Sequence, residues 1–166
     1  MSLDLKLYNL LRDSGIDLVL SVPCILLKGL IKIINQRNEI LHIPVCREEE
    51  GVGIAAGAHL GGKFPLILMQ NSGLGNSINA IKSLLELYEI PVVFVMSHRG
   101  GEGETIAAQI PMGKSTKKLL EVLGIKYWSI RSNKDLYLIK EAISYLKRTN
   151  NSVAILLKKS FWDESK

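Results

Sequence analysis

Residues 46–50, Cys-Arg-Glu-Glu-Glu, set three carboxyl groups in a row directly ahead of Gly-Val-Gly-Ile-Ala-Ala-Gly, residues 51–57. A carboxyl group in such a place can share a proton with a bound base, or it can simply favour the positive end of a helix. The second effect is worth about 0.3–1 kcal/mol per acid in the first turn. The bare segment behind the acids works the other way, since each glycine costs a helix about 1 kcal/mol relative to alanine. Close approach of another backbone, or of another subunit, offsets that cost, and the glutamates then stand at the rim of the contact. Polar residues and glycines collect in three further stretches: Val-Pro-Cys at 22–24, Asn-Ser-Gly-Leu-Gly-Asn at 71–76 and Ser-His-Arg-Gly-Gly-Glu-Gly-Glu at 97–104. Backbone N–H groups at such places can receive an anion. A reactive thiol at Cys24 would need a neighbouring base, and the sequence shows none beside it.

These stretches are positioned by an alternation of helix and strand. Leu3, Leu7, Leu10 and Leu11 recur at helical spacing, with Ser2 as N-cap and Gly15 as stop. Apolar runs at 16–21, 40–45, 65–71, 91–97 and 152–158 read as strands, with a weaker one at 126–130. Helices are expected at 25–36, from Glu48 onward, and at 75–88, 115–123 and 134–148. The glycine-rich segment 99–113 shows no period and is expected to be a loop. This pattern predicts an α/β fold, a three-layer α/β/α domain on a mostly parallel sheet, occupying residues 1–166 as one unit. In such sheets ligands bind beyond the carboxyl ends of the strands, which is where the polar stretches fall.

Composition bounds the function. With 166 residues, 47% of them apolar, the chain forms one globular domain. The apolar run Ile90–Met96 is far too short to cross a bilayer. No export signal is evident, so Cys24 and Cys46 are expected as free thiols in the cytoplasm. The net charge of +5 concentrates at Lys114, Lys117, Lys118, Lys126, Arg131 and Lys134. A solvated face is expected there and nucleic acid is not.

Glu48 followed nine residues later by Gly57, with Ile-Ala-Ala-Gly at 54–57, resembles the pyrimidine-binding domain of thiamine-diphosphate enzymes. Residues 47–84, Ile-Pro-Val-Val-Phe-Val-Met-Ser-His-Arg-Gly-Gly-Glu-Gly-Glu at 90–104 and Gln-Ile-Pro-Met-Gly-Lys-Ser-Thr at 109–116 are similar to the branch that decarboxylates sulfopyruvate and phosphonopyruvate. Ala56 stands where the wider family commonly has Asp, a position at which this branch also lacks it. No Gly-Asp-Gly motif for a diphosphate-binding domain occurs.

The resemblance implies a split 2-oxo acid decarboxylase, one half of it this chain, active only with a separate diphosphate-domain β subunit that holds Mg²⁺. The implied reaction converts 3-sulfopyruvate to sulfoacetaldehyde and CO₂, a step toward coenzyme M. A phosphonate substrate and a non-catalytic interaction module are the alternatives. Glu48 would meet the ring nitrogen N1′ of the thiamine diphosphate pyrimidine. Asn71, Ser72, Gly73, Leu74, Asn76 and Gln109 would line the cofactor. Pro23, Cys24, His98, Arg99 and Lys114 would face the small anionic substrate. Glu49 and Glu50 are expected in structural roles. No metal ligand is expected on this chain. The glycines of 51–57 and the helix 73–81 would mediate assembly, including self-association of the isolated chain.

Overall fold

The computed structural model describes residues 1–163. Helix α1 (Leu3–Asp13) opens at Ser2, whose Oγ accepts the N–H of Leu5 at 3.3 Å, and the chain reverses at Gly15 with φ of +95°. Strand β1 (Leu18–Ser21) leads through a short turn at Ile25–Leu27 into α2 (Lys28–Gln36) and β2 (Leu41–Pro44). Then come α3 (Glu48–Leu60), β3 (Pro65–Gln70), α4 (Gly73–Ala80, widening into π-type turns over Ile81–Glu86) and β4 (Val93–His98). A turn at Ala107–Gln109 precedes α5 (Ile110–Val122), β5 (Lys126–Ile130), α6 (Tyr137–Thr149), β6 (Val153–Lys158) and α7 (Lys159–Asp163).

The six strands are all parallel, in the order β2-β1-β3-β4-β6-β5. Alternate strand residues feed two cores. Val19, Leu66, Leu68, Val93, Val95 and Ile155 pack under α1, α2 and α6. Leu20, Ile67, Met69, Phe94, Met96 and Leu156 pack under α3, α4 and α5. Each fully buried Leu, Ile, Val or Phe is worth about 1.5–3 kcal/mol, and β3, β4 and β6 are apolar on both faces because both are covered. The expected three-layer α/β/α fold is therefore observed.

The segment 99–113 differs from the loop expected of it. Helix α5 begins at Ile110 rather than at 115, with Pro111 in its first turn, where a missing N–H costs nothing. Gly113 sits inside that helix because a Cβ there would overlap the carbonyl oxygen of Arg99 and lie 2.5 Å from Gly100 C and Cα. Gly100, at φ +78°, would in turn overlap the carbonyl oxygen of Gln109. The glycines that blur the helical period are the ones that let strand end and helix touch.

Candidate active site

The order of strands reverses between β1 and β3, and the crevice at their carboxyl ends receives the N-termini of α3 and α4. Glu48, the first residue of α3, is half-buried there. Its side chain lies over Gly73, where a Cβ would overlap its Cγ and come within 2.6 Å of Cδ and Oε1. Asn76 Nδ2 donates to Glu48 Oε2 at 2.9 Å. Thus the glycine opens a seat for the carboxylate and the amide one turn later fixes its direction. Neighbouring acids point elsewhere. Glu49 pairs with Arg47 at 2.6 Å, and Glu50 Oε2 accepts the backbone N–H of Cys46 at 3.0 Å, tying the first turn of α3 to the segment that leads into it.

A chain of hydrogen bonds crosses the same strand ends. Gln70 Nε2 donates to Ser72 Oγ and to Gln109 Oε1, each at 2.9 Å. Gln70 Oε1 faces the Cys24 thiol at 3.8 Å, and Cys24 Sγ lies 3.2 Å from Ser97 Oγ. The thiol has one proton, so donation to Gln70 leaves Ser97 as donor to the sulfur. Gln109 uses its carbonyl here, and its amide N–H groups make no hydrogen bond among the described residues. Gln70 itself was visible in the sequence only as the polar end of an apolar strand, and its central place in this chain was not foreseen.

Other expected ligand contacts are engaged within the chain. Asn71 is 1% exposed; its amide donates to Thr116 Oγ1 at 2.8 Å and Arg99 O at 3.3 Å, and its Oδ1 accepts from Arg99 N at 2.9 Å. It clamps β3, β4 and α5 together. Leu74 is fully buried in the core beneath α3 and α4. The Arg99 fork is closed on Glu104 by two hydrogen bonds of 2.7 Å, with side chains only 10% and 2% exposed. The guanidinium and the backbone N–H of Gly100 hold the Glu104 carboxyl far below the usual carboxylate range. His98, 4% exposed, lies 3.1 Å from the Gly113 carbonyl by Nε2 and 2.6 Å from Lys158 Nζ by Nδ1. Burial chiefly lowers its pKa, favouring neutral imidazole. Pro23 and Cys24 line an open groove with Lys28 and Lys32 of α2, and Lys114 is exposed on α5.

Part of the basic stretch lies against aromatic faces, Lys117 over Tyr127 at 5.3 Å and Lys126 over Tyr145 at 4.5 Å. Among the described residues no three His, Cys, Asp or Glu side chains converge on a metal position, and no helix is long and apolar enough to cross a membrane.

Residues 1–114 match the model of the thiamine pyrophosphate enzyme family, N-terminal TPP binding domain. The chain is 51% identical over 160 residues to the sulfopyruvate decarboxylase subunit alpha of Methanococcus maripaludis, covering 96% of each chain. It is 49% identical to the subunit of the same name from Methanocaldococcus jannaschii, covering 96% of this chain and 95% of that one. A Rhodococcus jostii thiamine diphosphate-dependent 4-hydroxybenzoylformate decarboxylase superposes with a TM-score of 0.72 at 17% identity, over 95% of this chain and 30% of that one, a likeness of fold.

Proposed function

The chain belongs to the thiamine pyrophosphate enzymes, together with the sulfopyruvate decarboxylase alpha subunits, and from that premise we propose that it is the alpha subunit of a decarboxylase converting 3-sulfopyruvate to sulfoacetaldehyde and CO₂. The observation that carries the proposal is the seat of Glu48: a carboxylate laid over Gly73 and oriented by Asn76 at the mouth of the β1/β3 crevice. A flat, nitrogen-bearing ring suits a carboxyl held in this way, because a directed carboxyl oxygen can share a proton with a ring nitrogen. Bound thiamine diphosphate would supply the electron sink that decarboxylation of a 2-oxo acid needs.

Glu48 holds or gives up the proton at the ring nitrogen, and Asn76 keeps the second carboxyl oxygen from rotating away. Gln109, braced by Gln70, presents its amide N–H groups toward the reacting end. Ser72 and Gly73 form the floor. Asn71 supports that floor from behind through Arg99 and Thr116. Pro23, Cys24 and Lys114 border the substrate side. The Arg99 guanidinium, closed on Glu104, serves the loop rather than the substrate headgroup.

A second subunit carrying the diphosphate-binding domain and Mg²⁺ completes the site. Gly53 and Gly57 support this reading, since both are exposed on α3 and nothing lies within 4 Å of a Cβ at either position. That bare face is suited to close approach of another chain. Gly51, by contrast, packs inward against Val45 and Leu20. The reaction belongs in the cytoplasm, on the route to coenzyme M.

The test mixes this chain with a diphosphate-domain subunit, thiamine diphosphate and Mg²⁺ and follows CO₂ release from sulfopyruvate and, separately, phosphonopyruvate. Turnover of sulfopyruvate that requires both chains is expected. Turnover of phosphonopyruvate alone replaces the substrate, and a stable complex inert on both overturns the enzymatic reading.

A further inference from the structure

The strand order reverses a second time. The chain leaves β4 for the edge strand β5 and returns to insert β6 between them. The carboxyl ends of β4 and β6 therefore flank a second crevice, on the opposite side of β4 from Gln70. A cavity of about 370 Å³ opens there, lined by His98, Arg131, Lys158, Lys159 and Ser160 and by the loop 101–104. That volume suits a small organic or inorganic anion.

We propose that this crevice is a second ligand site, which takes a tetrahedral oxyanion group, phosphate or sulfonate, on Arg131, Lys158 and Lys159. The β4–β6 register sets His98 beside Lys158. His98 Nε2–H donates to the Gly113 carbonyl, so Nδ1 is left as acceptor for the Lys158 ammonium at 2.6 Å. The neutral ring thus aims a cation without neutralising it. Ser160 Oγ donates to the Arg131 carbonyl at 3.0 Å, tying the end of β5 to the end of β6. Lys159 Nζ donates to the Gly103 carbonyl at 2.6 Å, which draws the loop over the cavity.

Among the described residues the charge of the lining is unbalanced. No ion pair among the described residues involves Arg131, Lys158 or Lys159. Glu104 is closed on Arg99, which leaves Glu102 as the other lining carboxylate. Lys158 is half-buried, and its pKa is pushed down to about 8 by burial and by the charges of Lys117 and Arg131. An oxyanion between these cations relieves their repulsion, and N–H groups from three side chains on two strand ends can surround its oxygens.

The intact chain would be titrated calorimetrically with inorganic phosphate, sulfoacetate and acetate. The His98 ring resonances, followed by NMR, report on the crevice. Saturable one-to-one binding of phosphate or sulfoacetate is expected, with acetate weaker and with shifts at His98. The tighter of the two anions names the natural group. Lys158→Met and the exposed Arg131→Gln should each weaken binding about tenfold or more. Lys118→Gln, an equal charge change outside the crevice, should alter it by less than about twofold. Arg131→Gln, at an exposed position, keeps the test valid if Lys158→Met unfolds. Absence of saturable binding, or equal losses in Lys118→Gln and Arg131→Gln, overturns the site. The outcome is independent of the decarboxylation assay, since neither partner subunit nor cofactor is present.

Discussion

At the scale of single residues, the proposed chemistry rests on how Glu48 is held. A carboxylate on the first turn of a helix can adopt many rotamers, and side-chain freedom of that kind is costly to remove. Gly73 offers one place for the side chain to lie, where no Cβ obstructs it, and Asn76 limits it further by bonding Oε2. Glu48→Gln preserves the shape and the bond to Asn76 but cannot exchange a proton. In the reconstituted two-chain enzyme, kcat should fall about 10²–10⁴-fold, with the melting temperature of the chain unchanged. Gly73→Ala tests the seat rather than the acid. Its Cβ meets the flexible end of Glu48, so the fold survives and the carboxylate is displaced. Circular dichroism should stay native while activity drops as in Glu48→Gln. Full activity in Gly73→Ala would show that the seat does not matter.

At the scale of elements, the region after β4 is held by two devices. One is the backbone seam of Gly100 against α5 at Gln109 and Gly113. Neither backbone can yield easily, so Gly113→Ala should destabilise the chain by about 1–3 kcal/mol in urea unfolding. The other is the enclosed pair of Arg99 and Glu104. Removing one partner from such a pair leaves an unmatched charge, and Glu104→Gln should cost about 3 kcal/mol or more. The pH dependence has a definite sign. The folded-state pKa of Glu104 is depressed, so its stabilisation is present above the unfolded carboxylate pKa and is lost as pH falls toward the lowered one. Urea midpoints measured downward from pH 6 should therefore fall more for the parent chain than for Glu104→Gln.

At the scale of the whole molecule, the sheet places the Glu48 crevice at β1/β3 and a cationic crevice at β4/β6, both at the carboxyl edge. Among the described residues, the exposed Gly53 and Gly57 leave one face of α3 uncovered beside the first crevice. Gly57→Gln adds a side chain into open space, which the monomer tolerates. If this face mediates the proposed assembly, light scattering should then show a folded chain that neither self-associates nor joins a diphosphate-domain subunit. Unimpaired assembly would move the interface away from α3.

The alternation of apolar runs and amphipathic helices determined the fold by itself, because strand and helix periods are local and a parallel sheet follows from their alternation. The N-terminal cap at Ser2 and the stop at Gly15 were legible for the same reason. The place of Glu48 at the start of α3 was legible because its strand, its acid and its small-residue helix are contiguous in the chain. What the partners of each polar side chain would be was not. Asn71 and Arg99 read as ligand contacts, yet the one meets Thr116, 45 residues on, and the other closes on Glu104. Lys158 carries no local signal at all, and it lies beside His98 only because β6 inserts next to β4. Hydrogen bonds between strand ends depend on the order of strands in space, β2-β1-β3-β4-β6-β5, and that order is set when two cores are filled at once, beyond the reach of any window along the chain.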